Sequence, residues 1–381
     1  MKNIFLLISI FLLASCSAKS TKIVVTNALG FDRNKEIVEV SVAKLNADFA
    51  NKTYVLKDAK GEEVGYQLLS DNQTLIFQAS VPANDSIVYT LQEGKPAPVA
   101  VRSHARFVPE RRDDVSWEND FVAYRMYGPA LMKIEHPSNG VDIWMKYKDE
   151  PVADSLYAGE LQRRLSYHED NGLGGFDGYD VNHTLGAGGA APYTTQLWIG
   201  NAFDRYKIIE SGPLRSVFTL SYDTIPVNGS YYLETFTVTC DAGSPLCQAV
   251  VKFEGANPVQ LATGIFMDKD SANTVFDREN KIIAYTKNNT TKKSVPQGQT
   301  YIGVYAPTMK GEPFIENGNY AVVSDYKLGD ELTYYFGACW SKWKFQTEQE
   351  WLTALKNFSQ AKQNPLKVTT SGEITLSVTV K

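Results

Sequence analysis

Three consecutive stretches of the chain decide its fold: Arg-Ser-Val-Phe-Thr-Leu-Ser-Tyr (215–222), Tyr-Tyr-Leu-Glu-Thr-Phe-Thr-Val-Thr (231–239) and Gln-Ala-Val-Val-Lys-Phe (248–253). In each stretch apolar or aromatic residues alternate with polar ones, which is the pattern of a half-buried β-strand. Similar stretches recur from residue 121 to residue 380, and no helices alternate with them. This arrangement favours one large antiparallel β-sandwich over a doubly wound α/β sheet.

The N-terminal part of the chain predicts a second, smaller β-unit. Five short alternating runs lie between residues 22 and 92, and Asp-Ala-Lys-Gly (58–61) is typical of a hairpin turn. Residues 93–98 are rich in proline and glycine, as expected of a linker. We therefore predict an all-β, mainly antiparallel protein. It has a small N-terminal β-sandwich (residues 20–95) and a large β-sandwich or supersandwich (residues 100–381).

One α-helix is predicted late in the chain, over residues 347–358. Thr347 and Glu350 have the spacing of a capping box. Trp351, Leu355 and Phe358 then lie on one apolar face, which is the pattern of a helix packed against a core.

The first 16 residues predict a lipoprotein signal peptide. Lys2 supplies a positive charge, residues 4–13 are apolar, and Leu-Ala-Ser-Cys (13–16) resembles the bacterial lipobox. The apolar run is too short for a permanent membrane span, which needs about 20 residues. We expect Cys16 to be the acylated first residue of an outer-membrane lipoprotein that faces the periplasm. Its only membrane contact would be the lipid anchor.

Charge and composition narrow the function classes. The formal net charge is −5 with acids and bases interspersed, so nothing indicates a nucleic-acid partner. Aromatic residues make up 12 % of the chain, which suits a β-protein and also a sugar-binding cleft. Cys240 and Cys247 could form a disulfide in an oxidising periplasm, and Cys339 would then remain a free thiol.

Polar residues and glycines concentrate between residues 108 and 189, where His168 and His183 lie among carboxylates and tyrosines. This mixture is unfavourable in a core and typical of a polar site built on loops, although a solvated surface loop is the alternative. We predict no cofactor. A divalent cation stays open as an alternative, since hard cations prefer oxygen ligands. Its ligands would be His168, Asp170, Asp177 and Asp180.

Seven motifs are long enough to compare with known families. They are Glu-Arg-Arg-Asp-Asp (110–114), Trp-Glu-Asn-Asp (117–120), Arg-Met-Tyr-Gly-Pro (125–129), Tyr-His-Glu-Asp (167–170), Gly-Ala-Gly-Gly (186–189), Ser-Gly-Pro-Leu-Arg (211–215) and Gly-Ala-Cys-Trp-Ser (337–341). Over about residues 22 to 381 they resemble the signatures of domain-of-unknown-function family 4861. The resemblance implies a secreted protein from loci that break down uronate-rich polysaccharides such as ulvan and pectin. Part of that family resembles ulvan oligosaccharide dehydratases.

The resemblance therefore implies a carbon–oxygen lyase that eliminates across C4–C5 of a non-reducing-end uronic acid. The C5 proton lies next to a carboxylate, so the reaction needs a base at C5, a cation at the carboxylate and an acid at the oxygen leaving C4. The candidate bases are His168 and Tyr127, and the candidate acids are His183 and Tyr167. The candidate substrate-binding residues are Arg112 and Arg125 for the carboxylate, Trp117 for stacking on the ring, Asn119 for hydroxyl groups, and Asp170.

The leaving group separates two forms of this reaction. A free C4 hydroxyl leaves as water, which makes the enzyme a dehydratase acting on a uronate-containing oligosaccharide. A second sugar at C4 makes it a polysaccharide lyase. Two other classes stay open: a glycoside hydrolase of the same degradation pathway, with two carboxylates facing each other across a cleft, and a non-catalytic glycan-binding lipoprotein. The candidate hydrolase carboxylates are Glu118, Asp120, Glu169 and Asp170.

The lipobox generates the first testable prediction. Cys16→Ser should release the protein from the membrane fraction into the soluble fraction, because the acyl chains supply its membrane affinity. Fractionation followed by immunoblotting measures this, with Ser17→Ala as the matched control. Retention of the Cys16→Ser variant in the membrane fraction would contradict the anchor.

Overall fold

The structure is a computed structural model that describes residues 20–134, 139–267, 273–290 and 296–371. The predicted signal peptide, Cys16 and the strand predicted over residues 374–380 lie outside these ranges. Strands and helices are numbered along the chain. The described residues form five β-sheets in which neighbouring strands are antiparallel, together with two α-helices, so the all-β prediction is confirmed.

The small N-terminal β-sandwich consists of two sheets. The five-stranded sheet contains, in order, β25 (Lys367–Thr370), β1 (Ser20–Thr26), β7 (Ser86–Glu93), β3 (Tyr54–Lys57) and β4 (Glu63–Val64). The three-stranded sheet contains β2 (Arg33–Ser41), β6 (Thr74–Val81) and β5 (Tyr66–Leu68). Each of the five predicted N-terminal runs overlaps one of these strands. The sandwich also includes β25 from the far end of the chain, where Val25 pairs with Val368.

Three sheets build the large β-unit. The eight-stranded sheet contains, in order, β14 (Arg205–Glu210), β15 (Arg215–Val227), β16 (Ser230–Asp241), β17 (Cys247–Glu254), β24 (Leu332–Trp340), β21 (Pro296–Tyr305), β20 (Ile282–Thr290) and β19 (Thr274–Asp277). The four-stranded sheet contains β13 (Ala187–Tyr193), β18 (Gln260–Phe266), β23 (Asn319–Ser324) and β22 (Met309–Glu316). The five-stranded site sheet contains β12 (Gly175–Asp177), β11 (Asp142–Lys146), β10 (Val122–Met126), β9 (Asp114–Glu118) and β8 (His104–Val108).

The main core lies between the eight-stranded sheet and the two smaller sheets of the large unit. Strand β15 buries Phe218 and Leu220, strand β10 buries Val122 and strand β18 buries Leu261, all in one apolar cluster. The alternation in 215–222 and 231–239 therefore places every second side chain in this core, as a strand period of two requires.

The late helix α2 (Glu348–Gln363) contains the predicted capping box. The Glu350 amide donates to Thr347 Oγ1 over 3.2 Å, and the Thr347 amide donates back to Glu350 Oε2 over 3.2 Å. Trp351 and Leu355 are buried against β20 and β21. The helix extends five residues beyond its predicted end and stops before Asn364.

The segment 108–189 requires a correction. Strands were predicted over residues 121–126 and 140–147, which β10 and β11 confirm, and a polar site on loops was predicted around them. The surrounding residues instead also form regular structure, namely β9, β12, the start of β13 and the helix α1 (Ala153–Arg163). The glycine-rich run 186–189 enters β13, and Gly188 has φ +133° with Phe336 packed where its side chain would be. Residues 195–199, one of the alternating stretches for which the sequence predicts a strand, are instead irregular and keep a single bridge between Tyr193 and Leu197.

The two cysteines of the predicted disulfide meet across a hairpin. Cys240 and Cys247 lie at the facing ends of β16 and β17, where Thr239 pairs with Gln248. Both are buried free thiols, so the disulfide is not formed in this structure. Cys339 is also a buried free thiol. No helix within the described ranges is long and apolar enough to span a bilayer.

The capping box generates a stability prediction. Thr347→Ala should lower the free energy of unfolding by about 1 kcal/mol, because the Glu350 amide loses its acceptor at the start of α2. Thr353→Ala is the matched control, since Thr353 is exposed on the same helix and alanine has the higher helix propensity. Chemical denaturation measures both, and equal losses would contradict a specific role of the cap.

Candidate active site

The residues between 108 and 180 converge on the outer face of the site sheet. Along β10, Val122, Tyr124 and Met126 point into the main core. Ala123 and Arg125 point to the opposite face, which is covered by α1 and the segment 164–180. Polar side chains on this face are therefore buried even though they do not face the main core.

Arg125 lies at the centre of this face and is 2 % exposed. Its Nε and Nη2 atoms donate to Asp142 Oδ2 over 2.9 and 2.6 Å. Nη2 also donates to Asp177 Oδ2 over 3.3 Å and to the Tyr127 hydroxyl over 3.1 Å. Nη1 donates to the Tyr167 hydroxyl over 3.3 Å. We call Arg125 and the residues bound to it the Arg125 cluster.

Aromatic rings enclose the Arg125 guanidinium. Its central carbon lies 4.5 Å from the Tyr127 ring centroid, 4.8 Å from that of Trp144 and 5.3 Å from that of Tyr167. A cation above an aromatic face is attracted by the ring, most strongly where water is excluded. The rings therefore stabilise a charge that would otherwise be costly to bury.

Two aspartates beside the Arg125 guanidinium have raised pKa values. Burial, and then the charge of Asp177, raises the pKa of Asp142 to about 7 against the lowering effect of Arg125. Burial also raises the pKa of Asp114, whose Oδ2 accepts from the Tyr157 hydroxyl over 3.3 Å. These carboxyl groups gain protons more readily than exposed aspartates do.

His168 lies at the exposed edge of the Arg125 cluster and contacts it through Asp177. Its side chain is 52 % exposed, and its Nδ1 lies 3.2 Å from Asp177 Oδ2. The hydrogen bond to Asp177 raises the pKa of His168 above its ordinary value, against the effect of partial burial. Within the described part of the chain Nε2 has no partner. A histidine oriented by a carboxylate through one nitrogen, with the other nitrogen accessible, has the arrangement of a general acid or base.

Arg111 is a second cation at this site that the sequence analysis missed. Its Nε and Nη2 atoms each donate to the Tyr167 hydroxyl over 3.3 Å, and its buried Nη1 has no partner among the residues that the structure describes. Arg112 follows it in the left-handed conformation (φ 56°) at the end of a short 3-10 helix. Of these two adjacent arginines, Arg111 is the one whose side chain reaches Tyr167.

The structure brings together four of the predicted site residues: Arg125, Tyr127, Tyr167 and His168. The Tyr127 hydroxyl contacts Arg125 and donates to Asp142 over 3.2 Å. The Tyr167 and His168 rings meet edge to face at 4.7 Å. Asp170 is exposed two residues beyond His168 and accepts from the Tyr147 hydroxyl over 2.9 Å.

Three predicted residues have other surroundings. Trp117 is fully buried in the main core and stacks on Tyr124 at 5.1 Å, so it cannot stack on a substrate ring. Asn119 is 1 % exposed, and its amide nitrogen is bound to the carbonyls of Asp241 and Ser244. His183 Nε2 lies 3.0 Å from the Gly200 carbonyl, next to a different cavity.

The predicted roles of two residues also require correction. Arg125 was expected to grip a substrate carboxylate, but all three of its nitrogen atoms are already bound to the protein. Tyr127 was expected to serve as a base, but burial raises the pKa of its hydroxyl well above the ordinary range, so it stays a neutral phenol. Arg125 instead binds the buried Asp142 and Asp177, and the Tyr127 hydroxyl donates to Asp142.

The aspartates beside Arg125 lie on strands, and Asp114 Oδ2 is 3.9 Å from Arg125 Nη1. Asp114 and Asp142 were not predicted as site residues, and Asp177 was named only as a possible cation ligand. Asp114 begins β9, Asp142 begins β11 and Asp177 ends β12. Asp142 precedes Ile-Trp-Met, and an ionisable residue at the start of an otherwise apolar strand is the signal that could have identified it. Among the described residues no group of three or more His, Cys, Asp or Glu side chains could hold a metal ion.

A family model and a named relative each match most of the chain. The model of the family described as "Domain of unknown function (DUF4861)" matches residues 25–368. The chain is 26 % identical over 387 residues to "Uncharacterized protein P7" of Formosa agariphila, covering 94 % of this chain and 96 % of that protein.

Two solved structures share the fold at low identity. An alpha-mannosidase from Enterococcus faecalis V583 aligns with a TM-score of 0.52 and 11 % identity, over 92 % of this chain and 46 % of that one. A protein in the Glycosyl Hydrolase Family 38 from Enterococcus faecalis aligns with a TM-score of 0.51 and 10 % identity, over 92 % and 47 %. The chain therefore spans less than half the length of these structures.

The Arg125 cluster generates a stability prediction. Arg125→Met should cost about 3–5 kcal/mol of unfolding free energy at pH 8, because Asp142 and Asp177 lose their buried counter-ion. The loss should be smaller at pH 5, since the raised pKa of Asp142 lets it take a proton instead.

Arg205→Met is the matched control for this measurement. Arg205 pairs with Asp223, but the two side chains are 63 % and 38 % exposed. The control should lose about 0–1 kcal/mol at either pH. Chemical denaturation measures both variants, and a similar loss in the two would contradict the buried-charge account.

Proposed function

We propose, from the premise that this chain belongs to the family described as domain of unknown function (DUF4861), that it is a carbohydrate-active enzyme with its active site at His168. The observation that carries the proposal is the half-exposed His168 imidazole held by the buried Asp177. The shared fold with two structures named as glycan-hydrolysing enzymes supports the substrate class.

The reaction proposed is the elimination of water across C4–C5 of a uronic acid at the non-reducing end of an oligosaccharide. His168 Nε2 takes the C5 proton, and the C5–H electrons form the C4=C5 double bond. The C4–O bond breaks, and the departing oxygen takes a proton to leave as water. Asp177 stabilises the imidazolium that forms, and Arg125 holds Asp177 in place.

Tyr167 is the proposed acid. Its hydroxyl accepts hydrogen bonds from Arg111 and Arg125, and its own proton has no acceptor within the described part of the chain. The Tyr167 ring contacts the His168 ring, so base and acid belong to one site. His183 contacts none of these residues and is not needed in this scheme.

Arg111 is the proposed partner of the substrate carboxylate. Its side chain is partly exposed, and its buried Nη1 has no partner among the described residues, whereas all three nitrogens of Arg125 are already bound to the protein. With Asp114, Asp142 and Asp177 ionised, the two arginines leave one surplus negative charge. A surplus negative charge favours the imidazolium that forms once His168 has taken the C5 proton.

A glycoside hydrolase is the second candidate, favoured by the names of the two solved structures. A hydrolase needs two carboxyl groups on opposite sides of a cleft. Asp142 and Asp177 instead share one nitrogen of Arg125 and are 0 % and 4 % exposed. A glycan-binding lipoprotein without catalytic activity is the third class. The lipid anchor at Cys16 is part of the proposal for all three classes.

The ultraviolet absorbance of a conjugated C4=C5 double bond tests the reaction directly. On a panel of uronate-ended oligosaccharides, the wild type should produce absorbance, and His168→Ala should lower the rate by about 10²–10⁴-fold. His104→Ala is the matched control, because His104 is another partly exposed histidine with an aspartate, Asp154, 4.0 Å away. Cleavage products without absorbance would instead favour the hydrolase.

The Asp177 contact predicts a pH dependence. The base must be neutral, so the rate should rise with pH through the pKa of His168, which lies above its ordinary value of 6.5. Asp177→Asn removes the charge that favours the imidazolium and should move this midpoint to lower pH. If the rate of Asp177→Asn has the same pH midpoint as that of the control Asp154→Asn, then Asp177 does not set the pKa of His168.

A further inference from the structure

The two groups assigned to proton transfer, Tyr167 and His168, are neighbours in sequence and lie in the irregular segment that follows α1. Arg164, directly after the helix, has a left-handed conformation (φ 57°), and the Leu165 amide donates to the Gly159 carbonyl over 3.0 Å. The chain therefore turns sharply at the end of α1. An irregular segment has few hydrogen bonds of its own, so contacts with neighbouring elements must fix Tyr167 and His168.

The backbone of Tyr167 is held from two sides. Its carbonyl accepts a hydrogen bond from the Asp177 amide over 2.7 Å, which joins it to the end of β12. Its amide donates to Glu160 Oε2 over 3.1 Å, and Glu160 lies near the end of α1. The helix and the strand are therefore joined through the residue that precedes His168.

Glu160 can hold this position because α1 is itself anchored. At the start of the helix, the Val152 and Ala153 amides donate to Glu118 Oε2 and Oε1 over 2.8 and 2.9 Å. The Lys146 ammonium lies 2.8 Å from Glu118 Oε2, and the two side chains are 0 % and 1 % exposed. Lys146 belongs to β11 and Glu118 to β9, so these contacts tie α1 to the site sheet.

The imidazole of His168 depends on the position of this backbone. Its Nδ1 contacts Asp177 Oδ2, and its ring edge contacts the Tyr167 ring. The charged groups that face it are Asp177 on β12, Arg125 on β10 and Asp142 on β11. All three are on strands, whereas His168 is not. A shift of the irregular segment would therefore separate Nδ1 from Asp177 while the strands keep their places.

We propose that Glu160 is a positioning residue for the proposed elimination and acts through the Tyr167 amide. In this role it keeps His168 against Asp177 and keeps the hydroxyl of the proposed acid at its arginine partners. The effect of Glu160 on the rate rests on the proposed function, whereas its effect on His168 can be measured without a substrate.

Two variants of Glu160 separate its hydrogen bond from its charge. Glu160→Gln removes the charge and keeps a side-chain oxygen that can accept from the Tyr167 amide. Glu160→Ala removes both. A backbone amide that has lost its acceptor must find another one or reach water, so the alanine variant should move the segment that carries His168.

Titration of His168, followed by NMR of protein with labelled histidines, measures this movement directly. The hydrogen bond to Asp177 raises the pKa of His168 above 6.5, against the effect of partial burial. The pKa should fall toward 6.5 in Glu160→Ala and stay closer to the wild type in Glu160→Gln, because only alanine loosens the Asp177 contact. His168→Ala assigns the resonance. Gln162→Ala changes an exposed residue of the same helix and is the matched control, which should keep the wild-type pKa.

The rate of product formation is the second measurement. Glu160→Ala should lower kcat by about 10- to 100-fold, since displacing a reacting group by roughly 1 Å can have an effect of this size. Glu160→Gln should lower kcat less. A wild type that forms no product would overturn the elimination reaction, but the titration would still decide the role of Glu160.

Hydrogen exchange in the unaltered protein gives a readout that does not depend on a variant folding. The Tyr167 amide should be protected together with the amides of α1, because its acceptor belongs to that helix. Three results would each overturn the inference: rapid exchange of this amide, the same pKa of His168 in Glu160→Ala and Glu160→Gln, or the same kcat in these two variants of an active enzyme.

Discussion

The burial of one guanidinium group sets the architecture of the site. Arg125 could not remain beneath α1 as an isolated charge, because an unpaired buried ion costs several kcal/mol. It binds Asp142 and Asp177, and through them it joins β10, β11 and β12. It also orders the aromatic rings of Tyr127, Trp144 and Tyr167 around itself. The site sheet, the helix above it and the segment 164–180 therefore share one electrostatic centre.

Arg125 fixes the position of the carboxylate that orients the exposed His168. Asp177 is held by Arg125 on one side and by its place in β12 on the other, so the carboxylate that orients His168 moves little. A catalytic group is most effective when the residues that orient it are themselves fixed. The accessible nitrogen of His168 is thus positioned by a strand, although the residue belongs to an irregular segment.

The alternation of apolar and polar residues made the strands predictable. The site was harder to predict because its polar residues are buried. The alternation in 215–222 and the capping box at Thr347 depend on neighbours in sequence, and both predictions agree with the structure. The aspartates of the cluster depend on contacts between separate strands, which a single sequence does not display. Polar residues such as Asp114 were therefore assigned to loops, because charged residues are seldom fully buried. Arg111 and Arg112 could not be distinguished, since the left-handed turn at Arg112 decides which of them faces Tyr167.

The pairing of β25 with β1 has a consequence for the order of folding. Thr26 and its partner Lys367 are separated by almost the whole chain, so the small sandwich cannot complete its five-stranded sheet until the last described strand has emerged. Contacts between such distant residues form slowly, because a long loop must close before they contribute. The five-stranded sheet is therefore completed only when β25 docks on β1. Until β25 docks, the edge of β1 that faces away from β7 stays unpaired, and an open sheet edge of this kind can pair with another chain.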